Sequence, residues 1–319
     1  MQPIIPFEPV RRDAIPTQGD WMPQIKWDGV RMLTYFDGEI VRLFNRKGHE
    51  RTMQYPELLN IHEYCSGSSV ILDGEIIALG ADGKPSFHHV MRRDGVRRSD
   101  RVALARQSVA ITYMVFDLLY LNGEWLTKQP YRQRMEMLTK VLQTHPNVQM
   151  VTTHDDANAL FEVVKAYGME GIVLKQSDSP YVIGGKSDLW IKVKNYKDLI
   201  AVIGGFTLDA SNTVNALLLG QYDAQGRLWY IGHTGTGKLT KQEWRAMTQW
   251  LVPHVTETRP FVNQPERHRE AHWVSIQFTV KIQFAEWTPG GTLRQPSIQA
   301  IVDVPVEQCV FDELAPARV

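Results

Sequence analysis

Residues 25–31 read IKWDGVR, which sets a lysine, an aspartate, a glycine and an arginine among isoleucine, tryptophan and valine. A lysine so close to apolar neighbours and to a second cation has two interpretations. One is an amine that loses its proton and attacks a substrate, and the other is a surface hairpin. The segments on either side of this stretch indicate which interpretation fits.

Strand patterns follow on its C-terminal side, where MLTYF and IVRLF flank Asp37-Gly38, a hairpin turn pair. Further apolar runs predict strands, in order VILDGEIIAL (70–79), ITYMVFDLLYL (111–121), GIVLK (171–175) and LWIKVK (189–194). Helical patterns lie between them, namely YRQRMEMLTKVL (131–142) and DANALFEVVKAY (156–167). Because strands and helices alternate irregularly, we predict an α+β domain with a mixed or antiparallel sheet.

The pattern changes after residue 197 to short strands with one helix, TKQEWRAMTQWL (240–251). In WVSIQFTVKIQF (273–284) every second residue is apolar from Val274 through Ile276 to Phe284, which predicts one alternating strand. Several strands and one helix in about 120 residues fit a small β-barrel of the OB-fold kind. We therefore predict two domains, residues 1–197 and 198–319.

The composition excludes several classes of protein. Lys and Arg total 35, as do Asp and Glu, so the formal net charge is zero and any polyanion site must be a local patch. Cys65 and Cys309 lie far apart without metal-ligand spacing, so neither a disulfide framework nor a structural zinc site is expected. The N-terminus lacks a signal-peptide layout, and no apolar run reaches membrane-spanning length. We expect a protein of the reducing cytoplasm.

Residues two apart on a strand share a face, and charged pairs with this spacing recur in the predicted strands. The pairs are Lys192 and Lys194, Asp73 and Glu75, and, if the strand continues so far, Lys26 and Asp28. Two ammonium groups side by side repel each other unless an anion lies over them, and a triphosphate is one such anion. The alternative is an edge strand with a solvated basic face.

KWDGVR alone is a modest signal, but it begins an ordered set of motifs. The set continues with FNRKG at 44, DGE at 73, VFDLLY at 115, EGIVLK at 170 and WIKVK at 190. Its order and spacing resemble the covalent nucleotidyltransferases, which include ATP-dependent DNA ligases, RNA ligases and mRNA-capping guanylyltransferases. Three later strings resemble the barrel of bacterial end-joining ligase modules and favour a DNA ligase: IGGFT (203–207), YIGHTGTG (230–237) and FAEWTPGGTLRQPS (284–297).

The resemblance implies a chemistry in which Lys26 attacks the α-phosphate of ATP, releases pyrophosphate and holds AMP as a phosphoramidate. AMP then passes to the 5′-phosphate of a nick in duplex DNA, and the 3′-hydroxyl displaces it. A free lysine, with a pKa of about 10.4, is protonated at neutral pH, so the site has to favour the neutral amine. Cations can do this, and the candidates are Lys192, Lys194, Arg31 and a bound metal ion.

The resemblance also implies binding roles. Glu75 and Glu170 would be oxygen ligands of Mg²⁺ or Mn²⁺, and Phe116 would stack on adenine. The other matching positions would contact the rest of the nucleotide, namely Asp28, Arg31, Arg46, Lys175, Lys192 and Lys194. For Phe116 the alternative is a core phenylalanine, and for Lys175 it is an exposed lysine at the end of a strand.

HHVMRRDGVRRSDR (88–101) holds five arginines and two aspartates, a density that suits contacts to DNA phosphates without sequence reading. The alternative is a solvated charged loop. The OB-fold would supply the rest of a clamp. We expect a monomer that binds nicked duplex DNA in repair or recombination, associated with the nucleoid, with or without Ku-type end-joining proteins.

Two features depart from this simple interpretation. GHTGTGKL (232–239) nearly spells a phosphate-binding P-loop, but Leu239 stands where a hydroxyl should bind Mg²⁺, which favours a turn in the barrel. The family barrel usually ends in a basic R-x-D-K motif, whereas AIVDVPVEQC (300–309) keeps only Asp303. Arg294 is our candidate for a partial substitute. The alternatives are a nick-binding repair protein that adenylates weakly or not at all, and an RNA ligase.

Overall fold

Two compact units make up the computed structural model, which describes residues 1–275 and 278–311. The first unit spans Met1–Asn195 and the second begins at Tyr196. Within the described residues, no helix has the length and apolar character needed to cross a membrane. The fold class is the predicted one, an α+β unit with mixed sheets followed by a β-rich OB-fold.

The first unit, all of whose residues are described, contains two sheets and four α-helices. Its strands are β1 Glu8–Arg12, β2 Trp21–Ile25, β3 Val30–Phe36, β4 Val41–Asn45, β5 Val70–Ile77, β6 Thr112–Leu121, β7 Glu124–Trp125, β8 Val148–Met150, β9 Gly171–Gln176 and β10 Lys186–Lys194. Its helices are α1 Phe87–Asp94, α2 Val102–Ser108, α3 Tyr131–Val141 and α4 Ala157–Ala166. One sheet has the order β1-β10-β9-β2, and the other has the order β4-β3-β5-β6-β7 with β8 beside β6. Only the β1/β10 and β6/β8 pairs of this unit are parallel.

Most of the predicted elements of this unit are confirmed. The hairpin forms as β3 and β4, which pair antiparallel on either side of Asp37-Gly38. The other predicted strands and both predicted helices form with bounds shifted by a few residues. The prediction that Lys26 and Asp28 share a strand face required the strand to continue to residue 28. Because β2 ends at Ile25, the two residues do not share a strand face.

Helix α4 covers one face of the β9–β10 pair. Asp156 caps the helix by accepting hydrogen bonds from two backbone amides of its first turn, which have no partner within the helix. Leu160 and Val164 then pack on both strands in a buried cluster that also contains Ile172, Leu174, Ile191 and Val193. Burying each such side chain contributes about 1.5 to 3 kcal/mol. The opposite face of β10 is left to Lys192 and Lys194.

Helix α3 is joined to the other sheet by a buried ion pair. Arg134 of α3 donates to both carboxylate oxygens of Asp117 on β6, at 2.7 and 2.9 Å. Both side chains are fully buried. Such a bidentate pair is directional, so it fixes Tyr131, at the start of α3, next to Phe116, which precedes Asp117 on β6.

The described part of the second unit contains nine strands and one α-helix. The strands are β11 Lys197–Leu208, β12 Val214–Tyr222, β13 Leu228–Thr234, β14 Val255–Thr256, β15 His272–Val274, β16 Thr279–Phe284, β17 Glu286–Trp287, β18 Leu293–Arg294 and β19 Ser297–Val302, and the helix is α5 Lys241–Leu251. The main sheet has the order β13-β12-β11-β15-β14, and β16 pairs with β11 and β19. β17 and β18 form a separate hairpin.

The prediction of one strand over 273–284 is wrong, because β15 and β16 pair with different parts of β11. β15 lies against Gly205 and Phe206, and β16 lies against Lys197–Val202. The alternation is confirmed at Val274, Val280, Ile282 and Phe284, which are buried, whereas Phe278 is only half-buried and the intervening Thr279 is buried as well. Ile276 lies outside the described residues.

The segment that resembles a P-loop is a turn between β13 and α5. A Cβ atom on Gly237 would lie 2.2 Å from the carbonyl oxygen of Ile298, so the turn packs tightly on β19. Helix α5 begins with a capping box between Thr240 and Glu243. The amide of Lys238 donates to the carbonyl of Ile298 at 2.8 Å, and the interpretation as a barrel turn is confirmed.

Candidate active site

Lys26 lies one residue beyond β2, beside the start of β9. Its backbone amide donates to the carbonyl of Gly171 at 2.9 Å. Its Nζ donates to Oε2 of Glu170 at 2.6 Å, and 22% of its side chain is exposed. The predicted nucleophile is therefore accessible to a substrate and is held by a carboxylate from a distant part of the sequence.

Two glycines allow this close approach of backbones. A Cβ atom on Gly29 would lie 2.2 Å from the carbonyl oxygen of Ile76, and one on Gly171 would lie 2.2 Å from that of Val193. Gly171 also has a φ of +148°, which side chains disfavour. Gly29 and Gly171 are thus required, because β5 and β10 pass close to the segments that carry Lys26 and Glu170.

Glu170 binds two lysines with one carboxylate. Its Oε2 accepts from Lys26, and its Oε1 lies 3.0 Å from Nζ of Lys194. Burial of Glu170 disfavours the charged form, but the charges and hydrogen bonds of the two lysines outweigh burial and lower the pKa of the carboxyl. Glu170 is therefore an ionised anchor between the segment after β2 and the end of β10.

Lys192 and Lys194 lie on the same face of β10, as predicted from their spacing, while Ile191 and Val193 are buried on the other face. Within the described residues, no ion pair or hydrogen bond engages the ammonium group of Lys192. Burial lowers the pKa of Lys192, and repulsion from Lys26 and Lys194 lowers it further. An anion over this face would relieve that repulsion, and a phosphate is such an anion.

Glu75 is the second carboxylate of the site. It lies on β5 opposite Arg31 of β3. Burial raises the pKa of Glu75 to about 7; the fields of Glu170 and Asp28 act in the same direction, and those of Lys26 and Arg31 oppose them. Glu75 is thus coupled to the charged groups around Lys26 and is only partly ionised near neutral pH.

The chemistry of these two carboxylates fits a divalent cation. Mg²⁺ prefers oxygen ligands and commonly binds through one or two carboxylates together with substrate phosphates. Among the described residues no group of three or more His, Cys, Asp or Glu side chains could hold a metal ion. Glu75 and Glu170 would suit a metal that arrives with a nucleotide, and the binding of Mg²⁺ or Mn²⁺ stays a prediction.

Arg31 is held in place beside Phe116, the predicted stacking partner of the nucleobase. Its Nε and Nη2 each donate to Asp73 at 2.6 Å, and Nη2 also donates to the carbonyl of Phe7 at 3.2 Å. Burial works against the charge of Arg31, but Asp73 more than compensates and raises the pKa of the guanidinium. The Arg31 Cζ lies 4.7 Å from the ring centroid of half-buried Phe116.

Lys175 is buried, with 2% of its surface exposed, so the alternative of an exposed strand-end lysine is wrong. Its Nζ donates to the carbonyl of Phe116 at 3.2 Å and to the hydroxyl of Tyr131 at 3.0 Å. Burial lowers the pKa of Lys175 well below its usual value. The structure therefore places this amine beside Phe116 and inside the core, whereas its predicted contact with phosphates stays a prediction.

The remaining predicted contacts are more peripheral. Arg46 lies in the turn after β4, with 58% of its side chain exposed, and its Nη1 is 3.4 Å from Oε1 of Glu8. Glu8 in turn acts on Lys192 through its charge, which links Arg46 to the lysine face. Arg294 belongs to the second unit, where its Nη1 donates to Oε1 of Glu286 at 2.7 Å across the β17–β18 hairpin.

The arginine-rich segment 88–101 is only partly available for DNA. Residues Phe87–Asp94 form α1, so the interpretation as a loop is wrong. Arg93 is buried and donates to Glu57 at 2.8 and 2.9 Å and to the carbonyls of Gln54 and Val109 at 2.8 Å. The four other arginines are not buried, namely Arg92, Arg97, Arg98 and Arg101.

Sequence reasoning missed three residues of this region. Arg11 on β1 is paired with Lys192 on β10, which places a further cation beside the lysine face. Tyr131 and Trp190 surround Lys175, with ring centroids 4.5 and 4.3 Å from its Nζ. Trp190 lies in the WIKVK motif but had no predicted role, and no spacing or motif marks Arg11 or Tyr131. All three reach this region through strand pairing and helix packing.

Solved ligase structures share this fold. A mycobacterial DNA ligase D complexed with ATP and MES is 28% identical, with a TM-score of 0.54 over 97% of this chain and 98% of that one. The ligase domain of LigD from M. tuberculosis is 27% identical, with a TM-score of 0.51 over the same shares. The architecture is thus of the ligase-domain class.

Family models make the assignment specific. A model described as ATP dependent DNA ligase domain matches residues 11–194, and one described as ATP dependent DNA ligase C terminal region matches residues 210–303. The chain belongs to the ATP-dependent DNA ligase family.

Two curated relatives illustrate the range of the family. The SPbeta prophage-derived DNA ligase-like protein LigB of Bacillus subtilis is 33% identical over 286 residues, which are 88% of this chain and 92% of LigB. The multifunctional non-homologous end joining protein LigD of Mycobacterium bovis is 32% identical over 286 residues, which are 87% of this chain and 35% of LigD. The chain therefore spans roughly a third of the length of that larger relative.

Proposed function

We propose that this protein is an ATP-dependent DNA ligase that seals nicks between a 5′-phosphate and a 3′-hydroxyl in duplex DNA. The observation that carries the proposal is the arrangement of Lys26 and Lys194 on one carboxylate, Glu170, beside the ammonium group of Lys192. In the described part of the chain, no carboxylate pairs with that ammonium group. An amine, an ionised anchor and an unneutralised cation at one place suit attack on a phosphate. Binding of nucleic acid alone does not need them together.

In the first step the neutral amine of Lys26 attacks the α-phosphorus of ATP. The N–P bond forms, the bond to pyrophosphate breaks and the amine loses a proton. Lys192 and Lys194 offset the charge that builds on the phosphate oxygens. A divalent cation held by Glu75 and Glu170 would supply further charge stabilisation. In this proposal Phe116 stacks on the base, and Arg46, Asp28 and Arg31 support the nucleotide.

In the second step an oxygen of the 5′-phosphate of the nick attacks the phosphorus of lysyl-AMP, and the amine of Lys26 leaves and regains a proton. In the third step the 3′-hydroxyl attacks the 5′-phosphate, loses its proton and displaces AMP. The exposed arginines Arg92, Arg97 and Arg101 suit the phosphates of the duplex, because such contacts hold DNA without reading its sequence. The OB-fold supplies a second surface of a kind that commonly binds nucleic acid.

The biological setting we infer is DNA repair on nicked chromosomal DNA in the cytoplasm. The printed name of LigD refers to end joining, which makes Ku-type proteins candidate partners of this chain. A second candidate function is a nick-binding repair protein with weak self-adenylation. In the family pattern, basic residues near the end of the barrel act on the departing pyrophosphate. AIVDVPVEQC (300–309) lacks these residues, and their absence favours the second function.

A label-transfer experiment tests the proposal. The protein is incubated with α-labelled ATP and Mg²⁺ or Mn²⁺, and then with a nicked duplex. We expect the label to appear first on the protein, then on DNA and finally as free AMP. Lys26→Ala should abolish the acid-labile protein label, while Lys165→Ala, a lysine exposed on α4, should leave it unchanged. Full labelling of Lys26→Ala would show the assignment to be wrong, and binding of nicks without any wild-type label would favour the second function.

A further inference from the structure

Lys175 occupies an unusual environment for a lysine. It lies on β9, is almost fully buried, and makes no ion pair with any residue in the described part of the chain. Three aromatic rings surround its Nζ, with centroids at 4.1 Å for Phe116, 4.3 Å for Trp190 and 4.5 Å for Tyr131. We call Phe116, Tyr131 and Trp190 the aromatic cage. Burying an amine without a carboxylate partner is costly, so its donors must have a use inside the cage.

Those donors are directed at Phe116. The carbonyl of Phe116 accepts from Nζ of Lys175 at 3.2 Å and from the hydroxyl of Tyr131 at 2.9 Å. The same hydroxyl accepts from Lys175 at 3.0 Å and from Nε2 of Gln24 at 2.9 Å. A buried network of this kind holds its members in one arrangement. It therefore fixes both the backbone and the ring of Phe116.

We propose that Lys175 is a positioning residue for the nucleobase: it holds the ring of half-buried Phe116 in the plane in which it stacks on adenine. The inference rests on the proposed function, because the stacking role of Phe116 belongs to it. The amine acts through Phe116 in two ways, by a hydrogen bond to its carbonyl and by N–H contact with its ring. The donor geometry serves both protonation states of the amine, since each retains N–H groups.

The alternative is that Lys175 merely fills the core. The two possibilities differ in how substitutions at positions 175 and 116 combine. If Lys175 acts through Phe116, its removal has little further effect once the ring is gone, because the two residues form one unit. If it only fills space, it changes the unfolding free energy and the fraction of active protein, but it does not change the KM for ATP.

The experiment measures the KM for ATP in the labelling of Lys26 for wild type, Lys175→Met, Phe116→Leu and the double variant. Methionine keeps the length of the side chain and its packing against the cage but removes both hydrogen bonds. Because a stacking or ring–cation interaction contributes about 1 kcal/mol, we expect each single variant to raise the KM about fivefold to tenfold. The double variant should match Phe116→Leu within about twofold.

An unchanged KM in Lys175→Met, or factors that multiply in the double variant, would overturn the inference and leave the proposed function intact. An unchanged KM in Phe116→Leu would overturn the stacking role and the inference with it. A wild-type protein that takes no label would contradict the proposed function itself. If Lys175→Met does not fold, Lys175→Leu carries the test, because it also removes both hydrogen bonds of the amine and leaves an apolar side chain against the aromatic cage. A KM that is raised in Lys175→Leu, and that Lys175→Leu does not raise further in a Phe116→Leu background, supports the inference, and an unchanged KM overturns it.

Discussion

Glu170 and Lys192 show how differently two charged side chains of one site are balanced. Glu170 is satisfied by Lys26 and Lys194, and its removal would leave two ammonium groups facing each other. Lys192 has repulsive neighbours, so it contributes little to the folded state by itself. A lysine that is repelled by its neighbours in the free protein is explained by its attraction to a bound anion.

Lys192→Ala should therefore separate catalysis from stability. We expect the rate of Lys26 labelling to fall by a factor that corresponds to about 2 to 4 kcal/mol of barrier, because the phosphates lose one electrostatic partner. The unfolding free energy should change by less than about 0.5 kcal/mol. Single-turnover labelling and chemical denaturation measure the two quantities. Lys186→Ala, at the exposed start of the same strand, is the matched control, and wild-type turnover in Lys192→Ala would remove that residue from the site.

Glu75 gives a pH dependence whose sign is fixed by the direction of its shift. Its pKa in the folded protein is raised to about 7 from an ordinary value of 4.5. The folded state thus binds more protons than the unfolded state between these values, and the contribution of Glu75 to stability is lost as the pH rises through this window. In chelator-treated, metal-free protein, Glu75→Gln should become more stable relative to wild type by about 2 kcal/mol between pH 5 and pH 7.5. Denaturation at a series of pH values measures this, and a constant difference would show that Glu75 is ionised throughout.

Helix α1 illustrates an element that hydrophobic periodicity does not reveal. Its buried residues are Val90, Arg93 and Asp94, so two of the three are charged. Arg93 is paired with Glu57, and Asp94 with Arg51 at 3.3 Å and with the hydroxyl of Tyr55 at 3.1 Å. The helix is therefore anchored by ion pairs and hydrogen bonds where an apolar stripe is usual.

Arg93 and its exposed neighbours should respond to substitution in opposite ways. Arg93→Ala should lower the unfolding free energy by about 3 to 5 kcal/mol, because it leaves the carboxylate of Glu57 buried without its partner. The double variant Arg97→Ala/Arg101→Ala should keep wild-type stability. If both arginines neutralise DNA phosphates, the salt dependence of DNA binding should fall by about 0.9 for each phosphate that is no longer neutralised. Denaturation and binding at several salt concentrations measure both effects, and an unchanged salt slope would exclude the two arginines from the interface.

The sequence predicts those features that depend on local order. Alternation along single strands predicted the shared face of Lys192 and Lys194 and the hairpin at Asp37-Gly38, and both are confirmed. Features that depend on distant partners escaped prediction. The Lys26–Glu170 pair joins residues 144 positions apart, and the resemblance placed both residues in one site without implying that ion pair. The cage around Lys175 also requires strand pairing and the docking of α3, which no periodicity encodes.

At the scale of the whole molecule, the candidate groups are divided between two units. The first unit carries Lys26, both carboxylates and the lysine face, and the second carries Arg294 on the β17–β18 hairpin. From Ile282 onward the sequence contains two basic residues, Arg294 and Arg318, and Arg318 lies outside the described residues. Among the described residues of this C-terminal stretch, Arg294 is therefore the candidate substitute for the basic motif that is missing from residues 300–309.

Arg294→Ala tests whether the two units act together in the first step. Pyrophosphate leaves only when Lys26 is adenylated, and sealing of a nick that already bears AMP involves no pyrophosphate. If Arg294 stabilises that leaving group, the substitution should slow Lys26 labelling by about tenfold and leave closure of a pre-adenylated nick within about twofold of wild type. The two rates are measured separately, with labelled ATP and with a synthetic adenylated nick.

Arg227→Ala is the matched control, because Arg227 is also an arginine of the second unit held by a carboxylate, 2.7 Å from Asp223. It should leave both rates unchanged. Equal slowing of the two steps by Arg294→Ala would instead indicate an interaction with the DNA backbone or a structural role through Glu286. An unchanged rate in both steps would mean that pyrophosphate departs with the cations of the first unit alone, Lys192 and Lys194, and that the basic motif missing from residues 300–309 has no substitute at Arg294.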